Sequence, residues 1–205
     1  MCFRFFASCR YALLFSLLGV GILSPFVATL ASECSPTKAR RLLLRENYKI
    51  REMSSWMRAS DLRNGAHHFS QHETAAARIY IRDGKLYDSN GKLFDTRDSI
   101  LPFGRNTKEH FALFVMDEKG QLYALKNPKR TGSPGDEFHS SILDGAPVAG
   151  AGEIRVEDGI PFVINDNSGH YPFPPEFLEQ IVAEMELNGL DLSRVEIQSF
   201  GGSKP

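Results

Sequence analysis

Two polar strings hold most of the residues whose types could do chemistry. The first runs from Phe138 to Glu153 and joins His139, Ser140 and Ser141 to a glycine-rich stretch that ends on Glu153. The second, Asn165 to Tyr171, carries Ser168, Gly169, His170 and Tyr171. A histidine beside a hydroxyl can act as its base, and a carboxylate can orient the base or stabilise a developing cation. The candidate catalytic set is therefore His139, Ser140, Ser141, Glu153, His170 and Tyr171. The small residues around Glu153 let a ligand or another strand approach the backbone closely. Three readings stand side by side: an enzyme pocket, a binding surface, and a structural network in which Ser140 and Ser141 cap a turn and His170 satisfies backbone groups. One concrete enzymatic form is transfer of ADP-ribose from NAD, by analogy with small β-rich domains that place a glutamate on a late strand. NAD is then the one cofactor to consider. No G-x-S-x-G string supports a serine hydrolase.

The elements that must position these residues read as a β-rich core. Arg78–Arg82 alternates, Asp83-Gly84 turns, and Lys85–Asp88 returns, because Asp-Gly accepts the positive φ of a tight hairpin. Phe111–Met116 is an unbroken apolar run that fits a strand buried on both faces, paired with Gln121–Leu125. Ala151–Val156, Asp158-Gly159 and Pro161–Ile164 form a further hairpin, which sets Glu153 near Ile164 and brings 168–171 towards 139–153. Pro174 and Pro175 open a helix whose Phe177, Ile181 and Met185 recur at four-residue steps, and Asn188-Gly189 stops it. Val195–Ile197 is a last short strand. Upstream, Lys38–Arg63 holds eight Lys/Arg against three Asp/Glu and reads as a basic helical segment, with Leu42, Leu43, Ile50, Met53 and Met57 on its apolar side. The fold class is α+β: an antiparallel sheet core with an N-terminal basic helical segment and a C-terminal helix.

The combination FHSSILDGAPVAGAGEIRVEDG with SGHYPF resembles two groups of proteins. One is the C-terminal part of plant IQ-motif calmodulin-binding proteins; the other is a C-terminal domain of bacterial secreted, toxin-like proteins. The resemblance spans about Arg78 to Gln198 and includes Leu93–Thr96 and Asp191–Ile197. It departs at Glu137, where a first histidine is usual, and at Tyr171-Pro172. Ile197-Gln198 lacks the spacing of an IQ motif, so calmodulin binding does not carry over with the resemblance.

At 205 residues and a net charge of −1, the chain has the size of one domain with an extension. Composition excludes a disordered chain, and nothing in it presents a basic, aromatic nucleic-acid surface. Three cysteines are too few for a disulfide scaffold. Arg4 and Arg10 precede an uncharged stretch, 11–32, that ends on small residues, the pattern of a secretory signal cleaved near Ala31. The expected layout is a signal peptide at 1–31, a basic extension and linker at 32–74, and the β-rich domain at 75–205. The expected protein is secreted or periplasmic, touches membrane only through its signal segment, and acts as an effector-like, toxin-like virulence factor on a target-cell protein; the alternative is a non-catalytic binding module. His68 and His72 have the spacing of zinc ligands on a helix, but Gln71 stands where a catalytic glutamate belongs, and no metal is expected. Two sharper expectations follow. Ser140, Glu153 and His170 converge on one site, and Glu153 finds its partner in His139 or His170 rather than in Arg155.

Overall fold

The computed structural model describes residues 41–45, 65–103, 106–131, 134–171 and 173–200. The chain divides into two units, Met1–Lys38 and Ala39–Pro205, and all described residues lie in the second. The segment read as a signal, and 46–64 of the basic segment, lie outside the described residues. Among the described residues no helix is long and apolar enough to cross a membrane.

The core is a curled, mostly antiparallel sheet. Helix α1 (Gln71–Ala76) leads into β1 (Arg78–Arg82) and β2 (Lys85–Tyr87). A small hairpin, β3 (Ile100–Phe103) and β4 (Asn106–Glu109), precedes β5 (Ala112–Met116) and β6 (Leu122–Leu125). After the short helix α2 (His139–Ile142) come β7 (Gly150–Glu157) and β8 (Ile160–Asn165), then α3 (Pro175–Leu187) and β9 (Glu196–Gln198). The main sheet has the order β2-β1-β6-β5-β7-β8-β9, with only the β8–β9 pairing parallel. The turn between β7 and β8 reaches back to β2: Leu86 N–H donates to Gly159 O at 2.8 Å, and Gly159 N–H donates to Phe94 O at 2.9 Å. That contact curls the sheet.

All five residues of β5 are buried, as its unbroken apolar run requires. Phe114, Met116, Ile154 and Ile164 face one core with Leu178, Ile181 and Met185 of α3. Leu113, Val115 and Ala151 face the other, covered by Ile142 of α2 and by Tyr171, Phe173 and Phe177. Asp83-Gly84 and Asp158-Gly159 both take positive φ, the backbone their hairpins need. Within the basic segment, Arg41–Arg45 is not helical. Arg45 bridges Val148 as an antiparallel partner, Leu42 is buried, and the Leu43 backbone is held by Gln180 on both sides, N–H to Oε1 at 2.7 Å and O from Nε2 at 3.0 Å. Tertiary pairing overrides the helical pattern at these five residues.

Two further features depart from the sequence reading. The β3–β4 hairpin has no counterpart in the sequence pattern, because Pro102 in the middle of Ile100–Phe103 masks the strand signal. The β7–β8 register shifts by one at Arg155/Val156, where Phe162 is the extra residue of a bulge, so Ile154 pairs with Ile164. Glu153 therefore falls beside Asn165.

Candidate functional site

The two polar strings meet on the sheet face that α2 covers. Glu153 pairs across the ladder with Leu113, and so shares the face of Ala151 and α2. Its side chain is 5% exposed, and its partners are neither histidine nor Arg155. Lys108 Nζ donates to Oε2 at 2.6 Å, Asn165 Nδ2 donates to the same oxygen at 3.1 Å, and Asn167 Nδ2 donates to Oε1 at 3.1 Å. Asn165 Oδ1 in turn accepts the Glu153 and Asn167 N–H groups, both at 3.0 Å. A buried carboxylate needs such donors, and the bulge and the β3–β4 hairpin deliver them. The expected histidine partner is corrected for that reason: Asn165 sits one register step beyond the simple hairpin count, Asn167 two residues further on past the end of β8, and the lysine on the β3–β4 hairpin. Lys108 also lies 4.0 Å from the centre of the Phe111 ring, so its stem and charge are both held. Arg155 pairs instead with Glu157 at 2.7 Å.

The expected convergence is met for Ser140 and His170, whose Oγ and Nδ1 lie 2.6 Å apart. His170 stacks on Phe138 with ring centres 4.5 Å apart, and the Arg130 guanidinium sits 3.7 Å over that same phenyl ring. Burial pushes the Arg130 group down from its ordinary value, against the pull of Asp136. His139 is buried, and its Nε2 donates to Gly152 O at 2.8 Å. Burial pushes its pKa down to about 4, only partly offset by the Gly152 carbonyl and by the charge of Glu153. His139 is thus a neutral imidazole that links α2 to the strand residue beside Glu153. Ser141 Oγ accepts the Phe138 N–H at 2.9 Å and closes the first turn of α2. Tyr171 is wholly buried, its hydroxyl donating to Ala146 O at 2.9 Å, and burial drives its pKa far upwards. No hydrogen bond joins Glu153 to the Ser140–His170 pair; His139 stands between them through Gly152.

The two upstream histidines with zinc-like spacing do not share one helix. Ser70 and Glu73 make a capping box that starts α1 at Gln71, so His68 lies before the helix and the one-turn spacing with His72 is not realised. The S-x-x-E pattern was a legible signal for that start. Glu73, held by the Ser70 backbone and by His67, is lowered to about 2. His67 pairs with Glu73, and His68 lies 2.9 Å from Asp144. Among the described residues no cluster of three metal-ligating side chains occurs.

The fold and site together define a small α+β domain in which two motif strings are bolted to each other through buried polar contacts. Residues 73–177, more than half of the chain, match the middle domain of IQ motif-containing proteins, and the chain belongs to that family. Among its relatives, the IQ domain-containing protein IQM3 of Arabidopsis thaliana is 30% identical over 107 residues, covering 45% of this chain and 22% of that protein. The IQ domain-containing protein IQM4 of the same plant is 25% identical over 124 residues, covering 60% and 21%. The matches span about a fifth of the length of these relatives. No solved structure matches the chain. These findings support the plant half of the expected resemblance and not the bacterial toxin half. They contradict the description of the chain as a toxin-like virulence effector, because the matches lead to IQ-motif proteins, and they give no support to a target-cell protein as partner.

Proposed function

We propose that the domain is a non-catalytic protein-binding module, the role that the calmodulin-binding relatives suggest. One observation carries this reading: the polar side chains of the two motif strings are engaged with each other or with nearby backbone. His139 holds Gly152, Ser140 holds His170, Ser141 and Ser168 accept backbone N–H groups, and Tyr171 holds Ala146. Such a network fixes a surface rather than presenting reactive groups.

A second reading, a transferase using NAD, is favoured by the 2.6 Å contact between Ser140 and the half-buried His170, which is the geometry of a base beside a hydroxyl. One experiment separates the two. The full chain is titrated with purified calmodulin, with and without calcium, and used in parallel for affinity capture of other proteins, while labelled NAD is followed in the same mixtures. Saturable binding of a protein with NAD left intact supports the module. NAD turnover that disappears in Glu153→Gln or His170→Ala, with the fold retained, replaces it with the transferase.

A further inference from the structure

The outward face of β1 has a composition the polar network does not explain. Arg78, Tyr80 and Arg82 alternate on that face, while Ile79 and Ile81 turn inward to the core. The ladder places Tyr87 opposite Tyr80 and Tyr123 opposite Arg78. The result is an alternating row of rings and guanidiniums. Arg82 lies 6.0 Å from the centre of the Tyr87 ring and 5.3 Å from that of Tyr80; Arg78 lies 5.5 Å from Tyr80 and 5.0 Å from Tyr123. Stacking on rings orients a guanidinium and leaves its N–H edge able to donate.

Beside this row runs an open groove of about 590 Å³. Arg78, Tyr80 and Tyr123 line one part of it, and Phe69, Ala75 and Leu143 supply apolar surface. The charges of the groove are unevenly matched. Arg78 donates to the neutral Gln121 Oε1 at 2.6 Å, and among the described residues neither Arg78 nor Arg82 meets a carboxylate at ion-pair distance, whereas Arg97 and Arg155 do. Of the nearby carboxylates, Asp117 accepts the Lys119 and Gln121 N–H groups and the Tyr123 hydroxyl, while Asp144, an exposed acid that also lines the groove, lies 2.9 Å from His68 Nδ1. The face thus offers two pre-oriented cations with spare donors, next to apolar surface.

We propose that this face and groove dock an extended acidic segment of a partner protein, its carboxylates on Arg78 and Arg82 and its apolar side chains against Phe69 and Leu143. The proposal rests on the protein-binding reading and assigns it a surface. The test uses the full chain and two fluorescein-labelled ten-residue peptides, one alternating Glu with Leu and the other alternating Lys with Leu, followed by fluorescence anisotropy at low and high salt. The acidic peptide should bind, weaken with salt, and lose roughly tenfold in affinity in the Arg78→Gln/Arg82→Gln double variant, since two charge-assisted contacts go. The basic peptide should show no saturable binding. Equal binding of both peptides, or an unchanged affinity in the double variant, overturns the assignment. Arg82→Gln alone removes an exposed guanidinium that makes no hydrogen bond among the described residues; if the double variant melts early, this single variant decides, with a loss of roughly threefold expected and no loss refuting. A captured protein partner that binds wild type and the arginine variants equally leaves the module reading intact and removes only this surface.

Discussion

Gly152 is the residue whose replacement most directly tests the geometry of the site. It lies on β7 next to Glu153, and its carbonyl accepts from His139. A methyl group built there would lie 1.8 Å from Asn165 O and 2.7 Å from Asn165 C, far inside the 3.0 Å that real Cβ atoms keep. Both atoms are backbone, so no rotamer change relieves the clash. Strand β8 would have to move by more than an ångström, and the two contacts between Glu153 and the Asn165 side chain, 3.0 and 3.1 Å, would stretch or break. Two lost hydrogen bonds at ~1 kcal/mol each, plus ~1–3 kcal/mol of overpacking, set the cost of Gly152→Ala at about 3–5 kcal/mol. The stiffer unfolded chain returns only ~0.5–1 kcal/mol. The net loss is about 3 kcal/mol, which in urea moves the midpoint by roughly 1–2 M for a slope of ~2 kcal/mol per molar. Gly169→Ala is the control: nothing lies within 4 Å of its built Cβ, and its φ does not demand glycine. Equilibrium urea unfolding of the two variants, followed by tyrosine fluorescence and circular dichroism, should separate them widely. Equal midpoints would refute the close approach of β7 and β8, and with it the placement of Glu153 against Asn165.

Other outcomes follow from the same contacts. His139 has a folded pKa near 4 against an ordinary 6.5, so the unfolded chain takes up the proton first; stability should fall as pH drops from ~6.5 to ~4, by on the order of 3 kcal/mol, and His139→Gln should flatten that limb in pH-dependent denaturation. A double-mutant cycle on Lys108→Met and Glu153→Gln should return a coupling of ~1–3 kcal/mol, because the carboxylate is buried while the lysine is partly in water; a coupling near zero would mean that the 2.6 Å contact contributes nothing. Tyr171→Phe removes one buried donor from Ala146 O and should cost ~1–2 kcal/mol in thermal unfolding, with no change in peptide or protein binding.

The sequence made much of the sheet legible because local signals agree with tertiary demand. Asp83-Gly84 and Asp158-Gly159 are turns whose chemistry leaves little choice, and the apolar run through β5 can only be a strand buried on both faces. The helix of Phe177, Ile181 and Met185 buries all three. What stayed hidden has a common cause. A bulge adds one residue without a composition signal, so counting outward from Asp158-Gly159 misplaces Glu153 by one step. The β3–β4 hairpin carries a proline and polar partners, and its Lys108 meets Glu153 from 45 residues away, a contact no local spacing announces. Of the basic segment, Arg41–Arg45 has helical periodicity but is claimed by an antiparallel bridge to Val148.

The same contacts bear on how the polar cluster can be used. The Glu153 carboxylate accepts two donors at Oε2 and one at Oε1, behind a 5% exposed surface. For that group to act on a ligand, the ligand must displace a lysine or an amide and pay for a carboxylate that is otherwise fully coordinated. Arg78 and Arg82 are in the opposite situation. Their guanidiniums are oriented by rings, meet no carboxylate at ion-pair distance among the described residues, and lie beside an open groove, so an incoming acid adds contacts there rather than competing for them. Recognition is favoured where a ligand completes contacts rather than competes for them. On that ground the motif strings serve this fold as a clasp between α2, β7 and the end of β8, and the alternating arginine–tyrosine strand is the face proposed to meet a partner.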